Sequence, residues 1–202
     1  MKIYMKPDEI NLFKKYITQP NIKNYLEFGS GGSTYYVSSL NNIKHIISYE
    51  TDKKWLNKLK TENIIKQRID KFQIDFKFYN LECNWWEYVS WANKNMKIMT
   101  NEKILNTWEK YTKNISDINI TPDLILVDGR FRVSSCLESI KICHKDTIFL
   151  FHDYTIRPQY HIIEKFLDRI DEINTLCVFK MKCNIDINEL DEYINKYRLN
   201  ID

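Results

Sequence analysis

Apolar positions along the chain alternate between short continuous runs and stripes at helical spacing. Ile10, Phe13 and Ile17 recur behind Pro7, Asp8 and Glu9, which predicts a helix over 7–19, stopped at Pro20. "NYLEF" (24–28) is an apolar run cut off by glycines and reads as a buried strand. "STYYVSSL" (33–40) can open a helix, and "HIISYE" (45–50) is a β-branched run that ends in an acid. "DKKWLNKLK" (52–60) has Asp52 as an N-cap and an apolar face at Trp55, Leu56 and Leu59. "FQIDFKFY" (72–79) alternates, as a strand with one wetter face does.

Residues 84–120 break this rhythm. They hold Trp85, Trp86, Trp91 and Trp108, four of the five tryptophans, and predict a helical insert with helices near 85–94 and 101–115. Stacking of aromatic faces on a sugar would make the insert a lid, whereas helical spacing equally suits plain core packing. Beyond it "PDLILVDG" (122–129) and "TIFLFHD" (147–153) are buried strands flanking a helix, "FRVSSCLESIKICH" (131–144). A helix over 158–170 follows from Pro158 and the Ile162, Phe166, Ile170 stripe. "TLCVFKMK" (175–182) reads as a strand and "NELDEYINKYRL" (188–199) as a last helix, with "CNIDI" (183–187) a candidate seventh strand between them.

Strands alternating with helices from 24 to 182 imply βαβ units. The fold class is α/β: a Rossmann-like, doubly wound, mostly parallel sheet with helices on both faces, in one domain spanning 1–202. Ligands of such sheets bind beyond the carboxyl ends of the strands. Those ends are unusually polar here: Glu27–Ser33, Glu50, Tyr79–Glu82, Asp128–Arg130 and His152–Tyr154.

Composition changes this picture little. Hydrophobic residues make up 44% and charged residues 28%, so the chain can build a core. The net charge of +3 is small and the lysines are scattered, so charge alone does not argue for a nucleic-acid partner, and none is expected. No apolar run approaches the ~20 residues of a membrane span, and the N-terminus lacks the apolar core of a secretory signal. The five cysteines form no CxxC pair, although Cys136 and Cys143 would share a helix face, and they read as reduced thiols. A soluble cytoplasmic protein is expected. The sequence leaves the oligomeric state open, a homodimer included.

Three of the four glycines fall within "GSGG" (29–32), between a strand and a helix. Such a turn lets an extended ligand approach the backbone. A dinucleotide fingerprint would need glycine or alanine where Thr34 stands, and Glu27 would repel a pyrophosphate. That weakens an NAD-dependent oxidoreductase. The pattern E-x-G-x-G-G-S, with Glu27, Gly29, Gly31 and Gly32, resembles the first motif of class I S-adenosylmethionine-dependent methyltransferases. Ser33 stands where the fullest form has a further glycine. Glu50, 23 residues after Glu27 at the end of the next strand, suits a ribose diol. The resemblance implies S-adenosylmethionine as cofactor, held by Glu27, Gly29, Ser30, Gly31, Ser33, Thr34, Glu50 and Asp128, with adenine near Tyr79–Glu82.

Two further motifs, "VDGRFRVSS" and "FHDY", end strands expected to be neighbours. Asp128 and Asp153 are hard oxygen ligands at such a point, suited to Mg²⁺, which would acidify a substrate hydroxyl. The pair resembles a methyltransferase subgroup with I-D-G-D-H-S-Y and H-D-Y at these places, which includes metal-dependent O-methyltransferases acting on sugars and antibiotic-type natural products. Arg130 and Phe131 stand where it has Asp-His, and Arg132 follows. Asp128, His152 and Asp153 are then the catalytic candidates, with Asp128 and Asp153 as metal ligands. Arg130, Arg132, Tyr154 and Arg157, with Tyr160 near, would receive the acceptor, a small molecule such as a sugar or sugar nucleotide. The expected activity is O-methyl transfer; a non-catalytic adenosine-binding protein of the same fold is the alternative.

Overall fold

The computed structural model describes residues 1–81 and 102–200. Seven strands form one sheet: β1 (Asn24–Phe28), β2 (His45–Glu50), β3 (Ile74–Phe78), β4 (Leu124–Val127), β5 (Ile148–Phe151), β6 (Leu167–Ile173) and β7 (Leu176–Met181). Their order is β3-β2-β1-β4-β5-β7-β6. The first five run parallel, and β7 enters antiparallel between β5 and β6. The order reverses between β1 and β4, so the crevice at their carboxyl ends is the place for a ligand.

The helices are α1 (Pro7–Ile17), α2 (Gly32–Ser38), α3 (Lys53–Lys60), α4 (Asn63–Asp70), α5 (Glu102–Lys113), α6 (Arg132–Ile140) and α7 (Ile187–Tyr197). Side chains alternate along the central strands and feed two cores, as a sheet covered on both faces requires. Leu26, Phe28, Ile125 and Val127 face Trp108, Leu137 and Leu190, while Tyr25, Leu124 and Leu126 face Leu12, Phe13 and Val37. Trp108 is therefore core: it is buried and its indole N–H donates to Leu81 O at 3.1 Å. The expected helix near 85–94, Cys83 and Trp85, Trp86 and Trp91 lie outside the described residues. Cys136 and Cys177 are buried, Cys143 lies beyond the end of α6 rather than on its face, and Cys183 is exposed. No helix among the described residues is long and apolar enough to cross a membrane.

Two expectations fail. The helix over 158–170 is a 3-10 turn, Pro158–Lys165, followed by strand β6. Its apolar stripe breaks at Ile170, which is exposed at a bulge between Arg169 and Asp171. Asn174, at φ 52°, turns the chain into β7, and the hairpin's backbone pairing outweighs helical spacing. "CNIDI" is accordingly not a strand; it leads into α7, which Asp186 caps. The exposed edge of the sheet is charged, with Asp168, Arg169 and Glu172 along β6, which discourages pairing with another chain. Residues 63–70, given no element above, form α4. Its Arg68 donates to the carbonyls of Ser38, Leu40 and Ile43 and so closes the C-terminal end of α2.

Candidate functional site

The backbone ladder runs past the strands into their loops, which fixes the site. Gly29 N–H donates to Tyr49 O, Asp128 N–H to Phe28 O and His152 N–H to Val127 O, at 2.9–3.1 Å. Gly29 adopts φ +95°, and a Cβ there would stand 2.8 Å from Asp128 O. Gly129 answers it from β4: its Cβ would stand 2.8 Å from Gly29 N. The two loops nest through their glycines, and the side chains around them face a shared cavity. Gly129→Ala should therefore cost about 1–3 kcal/mol in urea unfolding, as overpacking against rigid backbone does. A fully stable variant would show that the loops can part. At Gly32, a Cβ would stand 2.1 Å from Lys2 O, because the N-terminal segment crosses it. Part of the glycine loop thus admits the chain itself.

The cavity is about 310 Å³, in the range of small-ligand sites. It is lined by Gly29, Ser30, Tyr49, Glu50, Thr51, Asp52, Trp55, Tyr111, Asp128, Gly129, Arg130 and Arg132. Tyr49 and Tyr79 stack 5.9 Å apart and Tyr111 stands edge-on to both, forming one aromatic wall at the ends of β2 and β3. Trp55 pins the loop by donating from Nε1 to Ser30 O at 2.7 Å, with its indole against Gly31. Trp55, Tyr49 and Tyr111 escape the sequence reading. The available signal is that Trp55 follows the strand-ending acid by five positions, which sets it at the mouth.

Glu50 lines the cavity as expected. Its Oε1 accepts from the Thr51 and Asp52 amides and its Oε2 from the Ser30 amide at 3.1 Å. Oε2 keeps capacity for another donor. Burial raises the pKa of Glu50, and the amide bonds counter part of that rise.

Glu27, Ser33 and Thr34 are placed differently from the expectation. Glu27 is fully buried beneath the loop and does not line the cavity. Its Oε2 accepts from Tyr25 and Ser33 hydroxyls at 2.9 and 2.8 Å. Its Oε1 accepts from Ser48 at 2.7 Å and from Thr34. Thr34 Oγ1 also accepts the Gly31 amide at 2.7 Å, so Glu27 shapes the loop from below. Burial pushes its carboxyl up to about 7, against the pull of the four hydroxyls.

At the ends of β4 and β5, one ligand atom each of Asp128, His152 and Asp153 lies within 4.8 Å of the others. Two left-handed residues, Phe131 (φ 52°) and Asp153 (φ 59°), turn these loops. Such backbone costs about 1–3 kcal/mol per residue and concentrates at functional sites. His152 is held at both nitrogens: Nδ1 is 2.9 Å from Asp128 Oδ1 and Nε2 is 3.5 Å from Glu9 Oε2. Burial lowers its pKa, but the hydrogen bond and charge of Asp128 and the charge of Asp153 raise it overall. Glu9, 1% exposed, also accepts from Thr175 and from the Lys6 amide. Burial works against its charged form, yet these bonds hold its pKa down. Only its place at the third position of α1 marked it in the sequence.

The Arg132 guanidinium joins this cluster by bridging its two aspartates. It donates from Nη1 to His152 O at 2.6 Å and to Asp153 Oδ2 at 3.2 Å, and from Nε to Gly129 O at 3.1 Å. Its Nη2 stands 3.4 Å from Asp128 Oδ1, and the group lies over the Tyr160 ring. Arg157 bonds Asp153 Oδ2 at 3.3 Å and the Tyr160 hydroxyl, away from the cavity lining. Tyr154, expected on the rim, is wholly buried among Phe151 and Phe179 with its hydroxyl on Glu164. The chain turns at His152 and the left-handed Asp153, and Tyr154 N–H then bonds Thr175 O, which carries its ring inward. Of the four expected acceptor contacts, Arg130 and Arg132 line the cavity.

No family model and no curated protein matches the chain. Solved structures do. A methyltransferase-like protein from Silicibacter pomeroyi superposes with a TM-score of 0.74 at 22% identity, over 98% of this chain and 97% of that one. The O-methyltransferase TomG from Streptomyces achromogenes, involved in tomaymycin synthesis and solved with SAM, gives 0.55 at 8% identity over 89% and 82%. An O-methyltransferase from Bacillus cereus in complex with SAH gives 0.54 at 8% identity over 87% and 82%. The seven-stranded, mostly parallel sheet is thus the Rossmann-like fold that these methyltransferases share.

Proposed function

We propose that the chain binds S-adenosylmethionine and transfers its methyl group to a hydroxyl of a small polar acceptor, a sugar or sugar nucleotide. The observation that carries this reading is the cavity at the β1–β4 switch point. There Gly29 and Ser30 offer backbone, Glu50 offers an acceptor for ribose, and Trp55 offers a half-buried ring, with Tyr49 and Tyr111 buried in the wall. Carboxylates at Glu50, Asp52 and Asp128 suit a cationic ligand. When bound, the cofactor supplies an electrophilic methyl group on a sulfonium. The chain's residues then orient an acceptor oxygen in line with it and take up the acceptor's proton.

Asp128 is the residue that takes that proton. It lines the cavity, whereas His152 faces carboxylates at both nitrogens and does not. His152 holds Asp128 in place. Arg130 and Arg132 favour an acceptor bearing phosphate or carboxylate, which is what points to a sugar nucleotide. A Mg²⁺ between Asp128 and Asp153 does not fit these residues, because Arg132 already lies between the two carboxylates; the mechanism therefore contains no step through a metal.

Calorimetry with S-adenosylmethionine and its demethylated product tests the reading. Binding is expected with a Kd of roughly 1 µM–1 mM, the range over which enzymes meet substrates. Glu50→Ala should weaken it about 10–100-fold, the worth of a hydrogen bond to a charged group. No heat and no thermal shift with either ligand would falsify cofactor binding. Tight binding without turnover on any hydroxylated acceptor would leave the non-catalytic alternative.

A further inference from the structure

We infer that Arg132 is a built-in cation that takes the place of a divalent metal at the ends of β4 and β5. The donor set that would ligate a metal exists: Asp128, His152 and Asp153 converge from two adjacent strands. In this chain, a guanidinium bridges the two carboxylates of that set. Arg132 reaches both carboxylates, at 3.4 and 3.2 Å, and is fixed in that pose by the carbonyls of Gly129 and His152 and by the Tyr160 ring. Its side chain is only 11% exposed, so water screens it little.

Both carboxylates are already paired without an ion. Arg132 reaches Asp128 and Asp153, and Arg157 supplies a second cation to Asp153. Adding a divalent ion would bring two charges against Arg132 in a half-buried site, and a hard cation would also have to displace bonds that each carboxylate has made. A guanidinium differs from a metal in one useful respect. Its donors lie in a plane, so it holds an anionic oxygen at a fixed angle, and it never dissociates. Because Arg132 also lines the cavity, it presents that charge to whatever oxygen is held beside Asp128.

The inference rests on the cluster's geometry and not on methyl transfer, so its test does not need activity. Mn²⁺ is titrated into the protein and followed by electron paramagnetic resonance, with circular dichroism to check the fold. Wild type is expected to leave Mn²⁺ free. Arg132→Ala, which empties the position and leaves the donors, should bind Mn²⁺ at least about tenfold more tightly, the scale on which neighbours of a ligand shift metal affinity. Adding Asp153→Asn to Arg132→Ala should abolish the gain. Where the alanine variant fails to fold, Arg132→Gln keeps the side-chain bulk and is read in the same way. Wild-type binding of Mn²⁺ that Asp128→Asn or Asp153→Asn removes would overturn the inference. So would a folded Arg132 variant with no gain.

Discussion

Replacing Asp128 by asparagine is expected to lower methyl transfer by about 10²–10⁴-fold, the usual contribution of a placed general base, while cofactor affinity changes by less than about tenfold. The asymmetry comes from what Asp128 touches. Its carboxylate stands at the cavity beside Gly129 and Arg132, and its Oδ1 is held by His152 Nδ1 at 2.9 Å. Asparagine fills the same space and can still accept from His152, so the nested Gly29–Gly129 turn has no reason to move. What it removes is the basic oxygen. Steady-state kinetics beside calorimetry separates the two effects: kcat should fall with little change in Kd for the demethylated cofactor. A parallel loss of binding and turnover would make Asp128 a cofactor residue instead. Unchanged kcat would remove it from proton transfer altogether.

His152→Asn gives the contrast that makes this assignment specific. If His152 were the base, its loss would match that of Asp128. It faces Glu9 and Asp128 rather than the cavity, so its variant should lose less.

The sequence pattern carried the sheet well, because four of the first five strands are short apolar runs and β3 alternates, and the parallel ladder places the polar residues at or just past their carboxyl ends along one edge. It failed where the energetics are non-local. Ile162, Phe166 and Ile170 satisfy helical spacing, but the backbone of 167–173 finds its partners in β7, and Asn174 makes the turn that permits this. At the site, residue types were legible and orientation was not. Asp128, Glu50, Arg130 and Arg132 line the cavity as their positions suggested. Tyr154 and Glu27 have the right chemistry and point inward: Glu27 sits within β1, whose two faces are both covered, and Tyr154 follows the turn at Asp153. Glu9 belongs to the cluster only through tertiary contact, 143 residues from His152, with no local signal of that meeting.

Glu27 carries the second large effect, on stability rather than on chemistry. The four groups that bond it are neutral hydroxyls, with no cation among them. Burial therefore dominates and raises the carboxyl from its ordinary range to about 7. An acid whose pKa is higher in the folded state than in the unfolded chain stabilises the fold at low pH. That contribution is complete below about 4.5 and is lost as pH rises through about 7. The change is on the order of 3 kcal/mol, at about 1.4 kcal/mol per pKa unit. Glu27→Gln has no such titration. Urea unfolding of both proteins at pH 5 and pH 8 should thus show the variant gaining on wild type by that order at the higher pH. Parallel pH curves would mean that the hydroxyls hold Glu27 ionised throughout. Glu27→Ala goes further, since it leaves Thr34 without its acceptor while Thr34 still receives the Gly31 amide. The glycine loop should then loosen, and affinity for the cofactor should fall although Glu27 itself never reaches the cavity.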